Sequence, residues 1–407
     1  MWGVLTAAGT LTASVFLLSP LSDVLSLAAI FVRRARVVRR GTPSVPSVDL
    51  HPRRPHLLFL VPAHDEALLI DRCVRSLISL HRVHCDSSIV VLTDACTDDT
   101  AAIARRAGAT VVDFGHTTPL GKAKLLDAAV QRGIYEPYDA LVVIDADSEA
   151  APDFADVIGR QPSLHAIVQQ GHHGISNPRE TWLTRLAALL NSARYDGQLS
   201  VRARAGLNTP LTGNGMCFGR DVLRQHGMRC TTVKEDLEIY ATYTLAGVRI
   251  LFCPAAVVFA QEARSLAQAR TQRIRWEAGK WAIVRRYAWP IATSRLSFRQ
   301  RLDTMAELTH HGPVLHGFAA AALALPILGQ PGYAGVLSVV LLATTIPMVG
   351  WTILGFRKQP ERLRLLGAIA ALPAYLLWRA GILAVATFTH SGARWHRSPR
   401  HAPTTES

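Results

Sequence analysis

Charged residues are scarce in this sequence. They form 18% of its 407 residues, although about a quarter is usual in soluble domains. Because 49% of the residues are hydrophobic, the deficit predicts long apolar segments within the chain. The sequence also lacks internal repeats and long low-complexity tracts, which argues against repeat and fibrous architectures.

Closely spaced cysteine pairs are missing as well. The six cysteines form no C-x-x-C pair, so their spacing indicates neither a zinc motif nor a disulfide framework. A reducing, cytoplasmic environment is therefore expected for the central part of the chain. The six are Cys73, Cys85, Cys96, Cys217, Cys230 and Cys253.

Acidic residues are outnumbered by basic ones, 30 to 44, which gives a formal net charge of +14. Such a balance suits nucleic acid, anionic lipid or a phosphate-bearing substrate. Lysines and arginines that flank membrane segments explain it more simply. A nucleic-acid-binding membrane protein would also need clustered basic and aromatic residues away from the bilayer, and only the segment at 264–287 has them. No nucleic-acid partner is expected.

The N-terminal segment is almost wholly apolar. Residues 4–32 precede the basic run "RRARVVRR", and about 20 apolar residues cross a bilayer, so one transmembrane helix is predicted within 1–32. Because the positive charges follow the apolar stretch instead of preceding it, we expect an anchor with a cytoplasmic C-terminal end and not a cleaved signal peptide. A basic linker rich in Pro and Ser is predicted at 33–55.

The C-terminal third contains three further apolar stretches, at 313–329, 333–356 and 365–388. Transmembrane segments are predicted within 313–390, followed by a tail at 391–407. The first stretch is short and Arg379 interrupts the last, so the number of spans and the side of the C-terminus stay open. Arg379 would line a polar path or extend to the interface. A multi-pass protein of the plasma membrane, with a cytoplasmic catalytic domain, is expected.

Between residues 56 and 260, short apolar runs alternate with helical patterns. "LLFLVPA", "SSIVVLTD" and "ALVVIDAD" predict strands, and helices are predicted at 67–81 and 100–107. Strands that alternate with helices indicate a parallel α/β sheet. Such sheets bind ligands at the carboxyl ends of their strands, where the acidic residues of 62–66, 94–98 and 145–147 would converge.

The acidic motifs at these strand ends each have two interpretations. Asp145 and Asp147 suit Mg²⁺ or Mn²⁺, which would neutralise a diphosphate, or they form a solvated turn. Asp94 and Asp98 suit the ring nitrogen or ribose of a nucleoside, or they cap the following helix. Glu66 is also explained by the dipole of a helix in whose first turn it would lie.

Two motifs further along add a cation and a candidate base. Lys122 in "PLGKAKLLDAAV" lies at a predicted loop–helix junction, where an ammonium reaches phosphate oxygens or is merely exposed. Glu235, Asp236 and Glu238 cluster at a predicted helix start. One carboxylate that faces a pocket would be able to take a proton from an attacking hydroxyl.

A resemblance rests on seven segments between residues 57 and 287: "VPAHDE", "TDACTDDT", "GKAKLLD", "DAD", "LTGNGMCFGRDVL", "KEDLE" and "QRIRW". In this order they resemble the family 2 inverting glycosyltransferases of GT-A fold, in the membrane-embedded group with cellulose, chitin and hyaluronan synthases and ceramide glucosyltransferases. The last segment matches the Q-x-x-R-W signature of that group. The resemblance implies an α/β GT-A catalytic domain with a Rossmann-like mixed sheet at 56–260, amphipathic interface helices at 261–312 and α-helical transmembrane segments.

The resemblance also implies a role for each matching residue. Asp236 would be the general base, Gln272 and Arg275 would hold the leaving diphosphate, and Trp276 would be a stacking platform for the acceptor. The floor of the acceptor site would be formed by Gly213, Asn214 and Gly215. The nucleotide sugar would contact Glu66, Asp94, Asp98, Lys122, Asp145 and Glu235. The ion, Mg²⁺ or Mn²⁺, would bind Asp145 and Asp147, the second more directly.

Three positions depart from the family pattern. Thr93 replaces the first of two paired aspartates, Asp127 stands where Asn is usual, and Lys234 stands where Thr or a similar residue is usual. These departures bear on the nucleotide contacts and leave the base and the metal residues intact.

The implied reaction moves a sugar, with inversion, from a nucleotide sugar to a membrane-proximal glycan or lipid. The donor is expected to be a UDP-hexose or UDP-N-acetylhexosamine. The segment "LTGNGMCFGRDVL" favours polysaccharide assembly, although a channel would need more spans or a second copy of the chain. A lipid glycosyltransferase is the alternative. A non-catalytic nucleotide-sugar-binding membrane protein is a third hypothesis, against which the retained acids and Arg275 argue.

Overall fold

The computed structural model of the protein describes residues 17–33, 53–310, 331–358 and 362–388, together with a few isolated positions. Most of the predicted linker, the predicted span at 313–329 and the tail at 391–407 lie outside the described residues. The chain folds into two compact units. We call residues 53–177 and 209–279 the sheet unit, and residues 17–33, 178–208 and 280–388, where described, the helical unit.

An eight-stranded sheet forms the centre of the sheet unit, in the order β3-β2-β1-β4-β7-β6-β8-β5. The strands are β1 (His56–Ala63), β2 (Asp86–Thr93), β3 (Thr110–Asp113), β4 (Ala140–Val143), β5 (Ser148–Ala150), β6 (Val168–Ile175), β7 (Met216–Gly219) and β8 (Ile250–Ala260).

The helices are numbered along the described chain, beginning with α1 (17–33). The sheet unit contains α2 (Ile70–Ile78), α3 (Thr100–Arg106), α4 (Lys122–Gln131), α5 (Phe154–Gly159), α8 (Arg220–His226) and α9 (Glu235–Leu245). The helical unit contains α1, α6 (Trp182–Ser192), a π-helical turn at Ala193–Leu199, α7 (Ser200–Arg204), α11 (Phe298–Thr309), α12 (Tyr333–Ala343), α13 (Thr345–Lys358), α14 (Arg362–Ala370) and α15 (Leu372–Phe388). The long helix α10 (Leu266–Thr293) contributes its residues up to 279 to the sheet unit and the rest to the helical unit.

The sheet is mixed, as the resemblance implies. Strands β1, β2, β3 and β4 run parallel to one another, which agrees with the alternation of strands and helices in the sequence. Strand β7 pairs antiparallel with both β4 and β6, and β5 pairs antiparallel with β8. The alternation of strands and helices alone predicts a purely parallel sheet. That prediction is wrong for β5 and β7. Antiparallel strands do not need the helical crossover that joins parallel strands and produces the alternation.

Buried apolar side chains of β1 form the core of the sheet. Leu57, Phe59 and Val61 are fully buried in one cluster with side chains of α2, among them Ile70 and Leu77. Leu58 and Leu60 on the opposite face of β1 are fully buried too, as expected for a central parallel strand covered on both sides. Each such side chain contributes roughly 1.5–3 kcal/mol by leaving water. This packing fixes the strand ends that carry the polar residues.

The first helix of the sheet unit is shorter than the sequence pattern predicts. It begins at Ile70 instead of residue 67, and the turn that leads into it is closed by bonds from the amides of Leu69 and Ile70 to the carbonyl of Glu66. Asp65 lies outside the helix with a φ of 53°. Asp65 therefore lies before the helix, and its carboxylate accepts a hydrogen bond from Thr97 N instead.

The helical unit includes a segment that the sequence analysis assigns to the catalytic domain. Residues 178–208 cluster with the N- and C-terminal segments and not with the sheet. Within the described residues, one helical stretch, Gly335–Lys358, is long and apolar enough to cross a membrane, and the apolar stretch Leu372–Ala386 is shorter. The further predicted spans stay predictions.

Buried ionic groups join three segments of the helical unit. The Asp23 carboxylate accepts hydrogen bonds from Arg202 Nε at 2.7 Å and from Trp351 Nε1 at 2.9 Å. Arg202 also lies 3.3 Å from Asp303, which accepts a hydrogen bond from Ser22. Buried charges of this kind are tolerated when they are paired.

Candidate active site

The residue at the end of β2 supports the loop that carries Lys122. Both carboxylate oxygens of Asp94 accept backbone hydrogen bonds, from Leu120 N at 2.9 Å and from Gly121 N at 2.8 Å. Gly121 adopts a φ of 83°, a left-handed conformation that glycine tolerates without strain. Asp94 is 2% exposed. Its two hydrogen bonds therefore fix the start of α4 from inside the protein.

Asp98 acts as a local backbone cap. Its carboxylate accepts hydrogen bonds from Thr100 N at 3.0 Å and from Ala67 N at 3.1 Å. It thus ties the start of α3 to the turn before α2, where Glu66 N donates to Thr100 Oγ1 at 2.8 Å. Asp98 is interpreted from the sequence as a nucleoside ligand or as a helix cap, and these contacts are those of a cap. The buried Glu66 side chain lies nearby, just after the end of β1.

Lys122 is the centre of the site. Its Nζ lies 2.5 Å from Asp145 Oδ1 and 3.4 Å from Glu235 Oε1, and it donates a hydrogen bond to the carbonyl of Gly213. Burial lowers the pKa of this ammonium, but the Asp145 and Glu235 carboxylates raise it by more, and the net pKa is above its ordinary value. The structure thereby brings the end of β4, the start of α4 and the start of α9 together around one positive charge.

The D-x-D residues lie in the turn between β4 and β5. Asp145 N donates to Asn214 Oδ1 at 3.2 Å, and Asn214 Nδ2 donates to Ser148 Oγ at 2.8 Å. The Ser148 hydroxyl in turn donates to Asp147 Oδ1 at 3.0 Å. Asn214 is 3% exposed, so its side chain orients the acidic turn, and its place in the floor of an acceptor site stays a prediction.

The donor set of this turn fits a hard divalent cation. Asp145 and Asp147 offer carboxylate oxygens, the ligand type that Mg²⁺ and Mn²⁺ prefer. Burial beside these acids raises the pKa of the Cys73 thiol, whose sulfur contacts the Asp145 carbonyl at 3.5 Å, so the thiol stays neutral. The oxygen ligands therefore define the chemistry of the turn.

A second group of candidate metal ligands lies in the loops after β1 and β2. Ligand atoms of His64, Asp65 and Cys96 lie within 4.8 Å of one another. Asp65 already accepts a hydrogen bond from Thr97 N at 2.7 Å, and burial raises the pKa of the Cys96 thiol. A thiol metal ligand must be deprotonated, so this group is the poorer fit.

Asp236 and Lys122 approach Gly213 from two elements. A Cβ placed on Gly213 would lie 3.5 Å from both Asp236 Oδ2 and Lys122 Nζ. Asp236 Oδ1 accepts a hydrogen bond from Leu237 N at 2.8 Å, and Asp236 Oδ2 lies 2.9 Å from Lys234 Nζ. The candidate base is thus held in the first turn of α9, beside the same glycine as Lys122, which contacts the D-x-D residue Asp145.

The other acids of α9 differ from Asp236 in their contacts. Burial raises the pKa of Glu235, and Asp236 adds to this increase while Lys122 opposes it. Glu238 accepts hydrogen bonds from Thr231 N and Thr232 N at 2.9 Å and from the Thr231 hydroxyl. Burial raises its pKa, but these bonds lower it by more, so the net pKa of Glu238 is below its ordinary value. Glu238 therefore supports the loop before the helix.

The Q-x-x-R-W residues lie on α10. Gln272, Arg275 and Trp276 are three and four positions apart, which places them on one face of the helix, and all three are half-buried. Lys234 Nζ lies 5.5 Å and Arg273 Cζ lies 4.8 Å from the centre of the Trp276 ring. These contacts bring Trp276 to the segment that holds Asp236, while the diphosphate role of Gln272 and Arg275 stays a prediction.

The sequence analysis assigned no function to three residues that lie in the site. Ser148 links Asn214 to Asp147, and no pattern in the sequence singles it out. Arg273 contacts the Trp276 ring, but a basic residue on an amphipathic helix is common. Lys234 had one signal, its departure from the family pattern, although its contact with Asp236 was not foreseen.

A mixed α/β sheet with an acidic turn and a lysine at the carboxyl ends of its parallel strands defines a GT-A-like domain. The sequence profile described as "Glycosyltransferase like family 2" matches residues 53–279, more than half of the chain. The protein belongs to this family. The matched region includes the whole site around Lys122.

Individual relatives are distant. A probable glycosyltransferase, YdaM, of Bacillus subtilis is 23% identical over 239 residues, which is 57% of this chain and 57% of the relative. The poly-β-1,6-N-acetyl-D-glucosamine synthase of Staphylococcus epidermidis is 24% identical over 258 residues, 59% of this chain and 58% of the relative. The chain spans a little over half the length of these curated relatives.

One solved structure is similar over nearly the full length of both chains. It is a mannosyltransferase, PcManGT, from Pyrobaculum calidifontis, in complex with GDP-Man and Mn²⁺. The match covers 92% of this chain and 97% of that one, with a TM-score of 0.51 and 18% identity. This similarity concerns the fold.

Proposed function

We propose that the protein is an inverting glycosyltransferase that moves a sugar from a nucleotide sugar to an acceptor at the membrane. The observation that supports it best is the contact of Lys122 with Asp145 and Glu235 next to Asp236. Displacement of a nucleoside diphosphate requires an ammonium, an acidic turn that can hold a metal ion, and a general base. Family membership supports the same reaction.

On the donor side, the diphosphate binds at Lys122 and at the acidic turn. Asp145 and Asp147 would hold Mg²⁺ or Mn²⁺, which supplies positive charge to the leaving diphosphate. Gln272 and Arg275 contact the same phosphates, since a guanidinium matches phosphate oxygens in a bidentate geometry. UDP-sugars are the proposed donors. Stabilising the developing charge in this way is often the largest part of catalysis, with one donor worth roughly 3 kcal/mol.

On the acceptor side, Asp236 removes the proton from the attacking hydroxyl. The hydroxyl attacks the anomeric carbon on the face opposite the diphosphate, so the configuration inverts and no covalent enzyme–sugar intermediate forms. Asp236 lies in the first turn of α9, where the positive end of the helix dipole and the Lys234 ammonium are close to its carboxylate. Trp276 is the proposed platform beneath the acceptor.

Polysaccharide assembly is the proposed biological setting. The relative named poly-β-1,6-N-acetyl-D-glucosamine synthase supports a glycan acceptor and an N-acetylhexosamine donor. Transfer to a lipid remains the second candidate, and the apolar stretch Gly335–Lys358 supports an acceptor at a bilayer in either case. The proposed location is the plasma membrane, with the sheet unit in the cytoplasm.

Donor screening tests this proposal. The purified protein, reconstituted in lipid nanodiscs, is incubated with Mn²⁺ and a panel of UDP- and GDP-sugars, and products are identified by mass and by the anomeric configuration in NMR spectra. We expect one UDP-sugar to be consumed and the new linkage to have the inverted configuration. Failure to bind any nucleotide sugar, or retention of configuration, would refute the proposal.

A further inference from the structure

A buried glutamine of β6, Gln170, holds the loop that leads into β7. Its side chain is fully buried. Its Oε1 accepts a hydrogen bond from Thr212 N at 3.0 Å, and its Nε2 donates to the carbonyls of Asn214 at 2.8 Å and Gly171 at 2.9 Å. The amide thus uses its oxygen and both of its N–H groups. Thr212 and Asn214 are the two neighbours of Gly213, so one side chain fixes the backbone on both sides of that glycine.

The loop depends on such contacts because two of its residues are glycines with positive φ. Gly213 has a φ of 85° and Gly215 a φ of 66°, and a glycine adopts positive and negative φ about equally readily. Gly215 is fixed by a backbone hydrogen bond from its amide to the carbonyl of Val143, at 2.9 Å. Gly213 lies between the two residues that Gln170 holds.

The orientation of Gly213 bears on the position of the Lys122 ammonium. The carbonyl of Gly213 accepts a hydrogen bond from Lys122 Nζ, which lies 2.5 Å from Asp145 Oδ1. The stem of a lysine is flexible, so its ammonium needs fixed acceptors to keep one position. The contacts therefore run from Gln170 to Gly213 and on to Lys122, the cation proposed to bind the diphosphate.

The preceding residue on the same strand, Gln169, provides a comparison. It is also fully buried, but successive side chains of a strand point to opposite faces of the sheet. Its Nε2 lies 4.0 Å from Cys217 Sγ on β7. Within the described residues, its Oε1 has no hydrogen-bond partner. Two glutamines of equal size and burial thus differ in whether they hold the loop that carries Gly213.

We propose that Gln170 is a positioning residue of the donor site. Its amide fixes the carbonyl of Gly213, and that carbonyl keeps the Lys122 ammonium where the diphosphate binds. This inference rests on the proposed function and adds a residue to its donor site. Gln170 acts in this way through Lys122 and not by touching the substrate. The position requires one acceptor and two donors, which methionine lacks altogether at a similar size.

A double-mutant cycle tests the inference. UDP is titrated calorimetrically, at saturating Mn²⁺, into the wild type in nanodiscs and into Gln170→Met, Lys122→Met and the double variant. We expect Gln170→Met to weaken UDP binding by about tenfold, and by no more than Lys122→Met does. In the Lys122→Met background, Gln170→Met should have almost no further effect, because the effects of residues that act through a shared group are not additive.

Two further variants complete the experiment. Gln169→Met is the matched control, since it makes the same substitution at an equally buried neighbour, and it should bind UDP as the wild type does. Gln170→Glu keeps the hydrogen bond from Thr212 N and loses at least one of the two donated bonds, so it replaces Gln170→Met in the cycle if that variant does not fold. Thermal unfolding establishes which variants are folded.

Three outcomes would overturn the inference. The first is unchanged UDP affinity in a folded Gln170 variant, and the second is an equal loss of affinity in Gln169→Met. The third is additivity in the cycle, which would show that Gln170 affects UDP binding by a route other than Lys122. A wild-type protein that binds no nucleotide sugar would contradict the proposed function itself, so the two failures are distinguishable.

Discussion

Lys122 Nζ lies 2.5 Å from Asp145 Oδ1, within the contact distance of a charged hydrogen bond. The ammonium therefore stands where it repels a divalent cation approaching the D-x-D turn. A diphosphate has the opposite effect, since it attracts both the ammonium and the cation. The pair thus predicts that metal and nucleotide bind together more strongly than the metal binds alone.

Replacement of Lys122 with Met should change the two affinities in opposite directions. Removing the positive charge should strengthen binding of Mn²⁺ alone and weaken binding of UDP at saturating Mn²⁺ by about tenfold or more. Calorimetric titrations of the metal and of the nucleotide measure both. Lys124→Met, two positions along α4, should alter neither. If Lys122→Met bound both Mn²⁺ and UDP more weakly, the proposed role of Lys122 would be contradicted.

Asp236→Asn should retain UDP-sugar binding and lose transfer. The amide cannot take up the proton of the acceptor, and a general base contributes about 10² to 10⁴-fold to the rate. The asparagine keeps the size of the side chain and a hydrogen-bonding oxygen for Leu237 N. Rates of UDP release with acceptor present, compared with calorimetric donor affinity, measure the effect. Turnover near that of the wild type would exclude Asp236 as the base.

Gly213→Ala should damage catalysis, whereas Gly227→Ala should not. Both glycines have a positive φ, 85° and 63°, so an alanine at either position should cost about 1–3 kcal/mol of folding free energy. Only at Gly213 would the methyl group face Asp236 and Lys122 at 3.5 Å, since nothing lies within 4 Å at Gly227. Thermal unfolding, donor affinity and the rate of sugar transfer in the two variants provide the comparison. Equal activity in both would argue against a functional surface at Gly213.

Glu238→Gln should lower stability in a pH-dependent way. Three hydrogen bonds from Thr231 and Thr232 hold the pKa of Glu238 below its ordinary value of 4.5. A lowered pKa gives stability that is fully present above the ordinary value and is lost as pH falls through the lowered one. The variant should therefore be less stable by about 1–3 kcal/mol near neutral pH. The difference should shrink below about pH 4, as measured by thermal unfolding. A constant difference would indicate a packing effect.

The sequence predicts the parallel half of the sheet and the places where its polar residues lie. Apolar runs bounded by turns locate β1, β2 and β4, and the helix starts at Lys122 and Glu235 agree with the predicted ones. Convergence at the strand ends then follows from the rule for parallel sheets. The contact of Lys122 with Asp145 results directly from this convergence of the strand ends.

Other features depend on contacts that no local pattern encodes. Strand β7 inserts antiparallel beside β4 because of pairing across more than seventy residues, as in Leu141 with Phe218. Residues 178–208 join the helical unit through the pairing of Arg202 with Asp23. The Lys234–Asp236 contact lies between residues two positions apart, yet side-chain orientation determines it and the sequence does not show that orientation.

The buried pairs of the helical unit have a consequence for synthesis of the chain. Ser22 meets Asp303 281 positions later, and Asp23 meets Trp351 328 positions later. A nascent polypeptide emerges N-terminus first, and domains fold as units while the remainder is still being made. The sheet unit has all its strands once residue 260 has been translated, whereas the first helix must wait for almost the entire chain. The Asp23 carboxylate thus finds its last partner, Trp351, only after the rest of the network has been made, although it is among the first of these groups to leave the ribosome.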